Sequence, residues 1–94
     1  MSVVDEAVTA INEKVGGSFD GSVKFVIEGE GAVMLDGAGA RAGDEPAEVT
    51  LTADADTFRQ ILEGDLNPTS AFMTGKLSVD GDMGQAMKLA GALS

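Results

Sequence analysis

The spacing of hydrophobic residues changes along this sequence, and the change limits the folds that the chain can adopt. Hydrophobic side chains occupy every second position at Val23, Phe25 and Ile27, and again at Val49 and Leu51. This period of two predicts strands that each bury one face. Elsewhere the hydrophobic residues recur at intervals of three and four, which predicts amphipathic helices. The chain therefore combines a sheet with helices.

The order of the predicted elements favours an α+β fold. In chain order they are a helix between Ser2 and Gly16, strands at 23–27 and within 32–37, an edge strand or a loop at 40–42, a strand within 48–53, helices from Asp54 to Gly64 and from Asn67 to Gly75, a strand within 76–81, and a helix from Asp82 onward. Strands gather early and helices late, which is typical of α+β proteins. Strands joined by short glycine turns are expected to pair antiparallel, and the last strand is expected to join the sheet in parallel or at an edge.

Length and charge limit the class of protein. A chain of 94 residues is expected to form one domain over residues 1–94. Its formal net charge is −10, and its six basic residues are scattered. We therefore expect no nucleic-acid partner and at most transient contact with a membrane surface. The sequence shows no signal-peptide pattern, no hydrophobic run of membrane-spanning length and no peroxisomal address, so we expect a cytoplasmic protein.

The residue inventory argues against catalysis. The sequence contains no histidine and no cysteine, so the commonest general base, metal ligand and thiol nucleophile are missing. Asp54 and Asp56 form a carboxylate pair, but they lie where a helix N-terminus favours negative charge. The stretch "DGDMGQ" has acidic residues at the first and third positions of a calcium loop, but it lacks the later ligands. We therefore expect no enzyme activity, no metal and no cofactor.

Four internal methionines, Met34, Met73, Met83 and Met87, leave two interpretations open. Methionine is flexible and polarisable, so it fits irregular or changing shapes. It can fill an ordinary core, which composition alone favours, or line a cavity that accepts flexible hydrocarbon tails. Residue types alone indicate an α+β domain with a soft core and do not decide between the two.

A longer motif adds to this interpretation. From Gly64 to Leu89 the sequence reads G-x-L-N-P-x-S-A-F-x-x-G-K-L-x-V-x-G-x-M-G-x-A-M-K-L. This run resembles the sterol carrier protein type 2 family, also called the sterol-binding or non-specific lipid-transfer domain. The resemblance is strong over 47–93, is one of pattern only over 21–46, and is weak over 1–20.

The resemblance implies a single five-stranded sheet with helices packed on one face, enclosing a hydrophobic tunnel. It implies non-catalytic binding and carriage of a lipid, which is a sterol, a fatty acid, a fatty acyl-CoA or a phospholipid. The alternative is an accessory or adaptor domain that docks on a lipid-handling enzyme or complex and binds little ligand itself. No protein partner can be named from the sequence.

The same resemblance assigns lipid contacts to two helices, a turn and the sheet. Met83 and Met87 would line the wall formed by the last helix, and Gly84 would let that helix approach the sheet. The other expected contacts are the second wall of Phe58, Ile61 and Leu62, the turn residue Phe72, and the sheet floor of Phe25, Ile27, Leu35, Leu51, Leu77 and Val79.

Overall fold

A computed structural model describes residues 2–93 of the protein, and within that range it contains four helices and five strands. The elements in chain order are α1 Val3–Val15, β1 Val23–Ile27, β2 Gly31–Asp36, β3 Gly39–Ala42, β4 Val49–Ala53, α2 Ala55–Glu63, α3 Pro68–Met73, β5 Ser78–Gly81 and α4 Met83–Leu93. The segment at 40–42, which the sequence left open between strand and loop, belongs to strand β3.

The helices begin where the capping residues predict. The side-chain oxygens of Ser2 and Asp54 each accept the backbone N–H three residues later, at 3.1 and 2.7 Å. Asn67 accepts from the backbone N–H groups of residues 69 and 70, and Pro68 occupies the first turn of α3. These side chains satisfy N–H groups that have no partner inside the helix. The predicted starts of the first three helices are confirmed.

The five strands form one mixed sheet in the order β3-β2-β1-β4-β5. The neighbours β1 and β2, β2 and β3, and β4 and β5 are antiparallel, whereas β1 and β4 are parallel. The predicted antiparallel pairing of the early strands is therefore confirmed. The last strand was expected to be parallel or at an edge. It lies at an edge of the sheet and runs antiparallel to its neighbour β4.

One face of the sheet forms the floor of the core. The strand register aligns Val33, Phe25, Leu51 and Val79 in a row across four strands, because Phe25 pairs with Val33 and Leu51, and Leu51 pairs with Val79. Phe25 and Val33 are almost completely buried. Residues of all four helices pack against this core, so the helices cover that face. The α+β prediction with helices on one face is confirmed.

The opposite face is partly covered by the segment between β3 and β4. The Lys24 ammonium on β1 lies 2.9 Å from the Asp44 carboxylate in that segment. Met34 on β2 is only 3% exposed, and a Cβ at Gly43 would lie 3.2 Å from its side chain. Met34 is therefore buried on the side of the sheet that faces away from the helices, beneath this segment.

Asn12 fastens α1 to the edge strand β3. Its side-chain amide donates to the Ala40 carbonyl at 3.2 Å, and its carbonyl accepts the Ala40 N–H at 2.8 Å. The backbone of the neighbouring Gly39 passes so close that a Cβ would lie 2.8 Å from the Asn12 oxygen. The backbone N–H and C=O groups of Ala40 therefore both bond to the Asn12 side chain.

We expect Asn12→Ala to lower the free energy of unfolding by about 1–3 kcal/mol, because two half-buried backbone groups lose their partner. Urea denaturation followed by circular dichroism measures the effect. Glu13→Ala is the matched control, since Glu13 is exposed on the same helix, and such surface changes usually stay within about 0.5 kcal/mol. Equal stabilities for the two variants would show that the bridge does not stabilise the fold.

The cap of α2 makes part of the stability depend on pH. The Thr57 backbone N–H, and then its hydroxyl, hold the pKa of Asp54 below its ordinary value of 3.8, and the positive charge of Lys76 acts in the same direction. Because the folded-state pKa is lowered, the charged carboxylate stabilises the folded state above the ordinary pKa. This stabilisation is lost as the pH falls through the folded-state value.

We expect Asp54→Asn to be less stable than the parent protein near neutral pH, and the difference to shrink as the pH falls below the ordinary pKa of 3.8. The asparagine still accepts the capping hydrogen bond, so the variant isolates the effect of the charge. Thermal melts at a series of pH values measure it. A difference that does not change as the pH falls would show that the Asp54 charge is not the source.

Candidate ligand groove

A groove with a volume of about 280 Å³ lies between the inner face of the sheet and helices α2, α3 and α4. Its floor comes from the strands and from the residue before β5, namely Phe25, Leu51, Leu77 and Val79. The strand alternation described above turns these side chains toward the helices. We call this cavity the main groove.

Helix α2 provides one wall of the main groove. Phe58, Ile61 and Leu62 recur at intervals of three and four, so they share one face of the helix. The Phe58 ring meets the Phe25 ring edge-on, with centroids 5.8 Å apart and ring planes at 76°. This contact fixes α2 against the floor of the sheet, and Phe58 is only 4% exposed.

The other sides come from the short helix α3, the last helix α4 and one residue of α1. Their lining residues are Pro68, Thr69, Phe72 and Met73 on α3; Met83, Ala86, Met87, Leu89, Ala90 and Leu93 on α4; and Ile11 on α1. Among the described residues that line the main groove, Thr69 alone has a polar side chain. The groove therefore offers a hydrophobic surface with almost no hydrogen-bonding groups.

Large hydrophobic side chains are exposed along the rim of the main groove. Phe72 and Met83 are 44% and 48% exposed, and Met73 and Met87 are 79% and 74% exposed. Exposed hydrophobic clusters of this kind mark binding surfaces in water-soluble proteins. The structure thus shows a groove that is partly open to solvent, and its closure into a tunnel stays a prediction.

The structure brings ten of the twelve predicted lipid-contacting residues to the main groove. They are Phe25, Leu51, Phe58, Ile61, Leu62, Phe72, Leu77, Val79, Met83 and Met87. Ile27 and Leu35 do not line it. Ile27 is the last residue of β1 and lies under a different groove, whereas Leu35 on β2 is fully buried in the core, in the part of the sheet that α1 contacts. Contact with a lipid remains a prediction for all twelve residues.

The prediction for Gly84 was wrong. Gly84 is exposed, and a Cβ there would meet only the Asp82 carboxylate, at 3.1 Å, with no sheet atom near it. The close approach occurs three residues earlier, at Gly81, where a Cβ would overlap the Glu48 carbonyl and φ is +115°. Glycine is therefore required where β5 lies against the start of β4, and not where α4 faces the sheet.

Sequence reasoning did not assign eight of the lining residues to the site. They are Ile11, Pro68, Thr69, Met73, Ala86, Leu89, Ala90 and Leu93. The hydrophobic stripe of α4 contains Ala86, Ala90 and Leu93, so helical periodicity could have found them. Ile11 comes from the first helix and reaches the groove through tertiary packing, for which the local sequence has no signal.

A second groove of about 330 Å³ lies between α1 and α2. It is lined by Val3, Glu6, Ala7, Ala10 and Glu13 on α1, by Ile27 at the end of β1, and by Ala55, Phe58, Arg59, Leu62 and Glu63 on α2. Phe58 and Leu62 line both grooves, so the two cavities lie on either side of these residues. Unlike the main groove, the second groove has charged residues in its lining.

Residues 2–93 contain no group of acidic side chains that could hold a metal ion, and no helix among them is long and hydrophobic enough to cross a membrane. The pKa is lowered at Asp54 and also at Asp36, where the Ala38 N–H and then Arg41 stabilise the carboxylate. Neither carboxylate lines a groove.

The sequence is similar to parts of longer proteins. It is 39% identical over 87 residues to hydroxysteroid dehydrogenase-like protein 2 from Xenopus tropicalis, covering 84% of this chain and 21% of that protein. It is 37% identical over 89 residues to human sterol carrier protein 2, covering 82% of this chain and 15% of that protein. The chain thus spans about a fifth or less of the length of these relatives.

The fold is similar to that of solved sterol carrier proteins. A solution structure of sterol carrier protein-2 from Aedes aegypti, in complex with palmitate, matches with a TM-score of 0.78 and 24% identity, covering 100% of this chain and 97% of that one. At this identity the likeness establishes the fold alone. The model of the SCP-2 sterol transfer family matches residues 7–94, nearly the whole sequence, and the chain belongs to this family.

Proposed function

We propose that the protein is a non-catalytic carrier that holds the hydrocarbon part of a lipid in the main groove. The observation that carries this proposal is a hydrophobic groove whose rim exposes Phe72, Met73, Met83 and Met87. Each buried CH₂ group contributes about 0.8 kcal/mol, so a long chain binds by burial without any charged anchor. The flexible methionines let the rim adapt to tails of different shape.

The comparisons support a lipid as the ligand. The Aedes aegypti structure is a complex with palmitate, and the human relative is named a sterol carrier protein. The ligands proposed for this chain are therefore a sterol, a fatty acid, a fatty acyl-CoA or a phospholipid. In this proposal the rim closes over the bound chain and completes a tunnel.

Native mass spectrometry of the freshly purified protein, followed by organic extraction, tests the proposal. We expect a series of adduct masses from a mixture of bound lipids, which the extraction then identifies. A bare protein mass that persists after incubation with fatty acids, fatty acyl-CoA and phospholipid vesicles would overturn the carrier function.

A second candidate function is an accessory domain for a lipid-handling enzyme. The observation that favours it is that the chain matches only 21% of a relative named as a dehydrogenase-like protein and 18% of a peroxisomal multifunctional enzyme from Dictyostelium discoideum. The adaptor function predicts a bare mass in the same experiment. It also predicts that adding this protein raises kcat/KM of a partner enzyme on a lipid substrate, whereas a carrier shows bound lipid by itself.

A further inference from the structure

The two grooves meet at one pair of residues. Phe58 and Leu62 lie one helical turn apart on α2, and each lines both the main and the second groove. Phe58 is held by its contact with Phe25, whereas Leu62 is only partly buried. Leu62 is therefore the less constrained of the two side chains that line both grooves.

We propose that the two grooves form one passage, in which a single lipid lies with its tail in the main groove and its uncharged polar end in the second groove. This inference rests on the proposed carrier function and goes beyond it, because it assigns a second binding region and a class of headgroup. It places the second groove at α1 and α2, away from the exposed methionine rim.

The volumes support a joined passage. The main groove holds about 280 Å³ and the second about 330 Å³. Cavities that bind small molecules usually measure roughly 300–1,000 Å³, so each groove alone is at the lower limit of that range. A passage with the combined volume of the two grooves is well inside this range. A short chain therefore fits the main groove alone, whereas a long chain needs both.

The lining of the second groove selects the polar end. Glu6, Glu13 and Glu63 lie there with a single cation, Arg59, and within residues 2–93 none of the four forms an ion pair. A carboxylate or phosphate head would meet three negative charges and one positive charge in a protein of net charge −10. A hydroxyl head avoids this repulsion and can donate to a glutamate. The lining therefore favours an uncharged lipid end.

Two alanine variants test the passage. Ala10→Trp fills the second groove, and Ala90→Trp fills the main groove; both alanines are half-buried on helices, and each lines one groove only. Decanol and hexadecanol are the probes, measured by displacement of a neutral fluorescent alcohol. We expect Ala10→Trp to weaken hexadecanol binding by at least about tenfold and decanol binding by less than about twofold, because only the long chain reaches the second groove.

The outcomes separate this inference from the carrier function. Ala90→Trp is expected to weaken both alcohols. Circular dichroism first shows whether Ala10→Trp is folded. If Ala90→Trp weakens binding of the alcohols but folded Ala10→Trp binds hexadecanol as tightly as the parent protein, the passage is wrong and the carrier function stands. If palmitate binds the parent protein but neither alcohol does, the preference for an uncharged end is wrong and the carrier function stands. If palmitate does not bind either, the carrier function itself fails. Ala55→Trp fills the second groove from α2 and replaces Ala10→Trp if that variant does not fold.

The headgroup is tested with hexadecanol, palmitate and palmitoyl-CoA. At low salt we expect palmitate to bind about fivefold more weakly than hexadecanol and palmitoyl-CoA more weakly still, with the difference shrinking as salt screens the charges. The triple variant Glu6→Gln, Glu13→Gln, Glu63→Gln should tighten palmitate binding and so narrow the difference in affinity between palmitate and hexadecanol. Palmitate that binds the parent protein as tightly as hexadecanol, or that gains nothing in the triple variant, would overturn the uncharged headgroup.

Discussion

Ala90→Trp is expected to weaken lipid binding by at least about thirtyfold while the protein stays folded. Ala90 is half-buried on α4 and faces the main groove. An indole ring there occupies space that several CH₂ groups of a lipid would fill, and each lost CH₂ costs about 0.8 kcal/mol. The groove already holds empty volume, so the ring does not overpack a filled core.

Displacement of a bound fluorescent fatty alcohol measures the affinity, and thermal melting measures the stability. Ala38→Trp is the control, because Ala38 is exposed after β2 and lines neither groove. If Ala90→Trp unfolds the protein by overpacking, which typically costs about 1–3 kcal/mol, Ala90 is ordinary core and the main groove is wrongly assigned. Equal affinities for the two tryptophan variants would contradict the groove as well.

Leu35→Ala is expected to destabilise the fold and to leave lipid affinity almost unchanged, which is the opposite of the result expected for Ala90→Trp. Leu35 is completely buried in the core and lines neither groove. Replacing a fully buried leucine by alanine removes its packing and leaves a cavity, so we expect the free energy of unfolding to fall by about 2–5 kcal/mol. The affinity of the folded fraction for a lipid should change by less than about twofold.

Urea denaturation and lipid displacement at low temperature measure the two effects separately. Leu62→Ala is the comparison, because Leu62 is half-buried and lines both grooves. It should cost less stability than Leu35→Ala and more lipid affinity. If folded Leu35→Ala loses as much lipid affinity as Leu62→Ala, Leu35 belongs to the binding site after all.

Local patterns in the sequence were enough to predict most of the helices and strands, whereas the five-stranded sheet with helices on one face was predicted from the family resemblance. Ser2, Asp54 and Asn67 identify helix starts because a cap acts within three residues. Alternation identifies which strand residues share a face, so Phe25 and Leu51 could be placed on the floor. The face of an amphipathic helix likewise placed Ile61 against the core.

The limits of the site depend on contacts between distant elements. Alternation places Leu35 on the inner face, but it does not indicate which helix covers that position, and the structure puts it in the part of the sheet that α1 contacts. The main groove gains Ile11 because α1 folds back over the sheet. Met34 and Met87 are the same residue type, yet Met34 is buried on the far face of the sheet and Met87 is exposed on the rim of the main groove.

That contrast between the methionines provides the most direct test of the carrier function. Nuclear magnetic resonance of protein labelled with ¹³C at the methionine methyl groups follows each of them during titration with decanol. We predict that the methyl signals of Met73, Met83 and Met87 shift and show contacts to the alcohol chain, whereas the signal of Met34, buried on the far side of the sheet, does not move. Unchanged signals from all three rim methionines, or an equal shift of Met34, would contradict a lipid in the main groove.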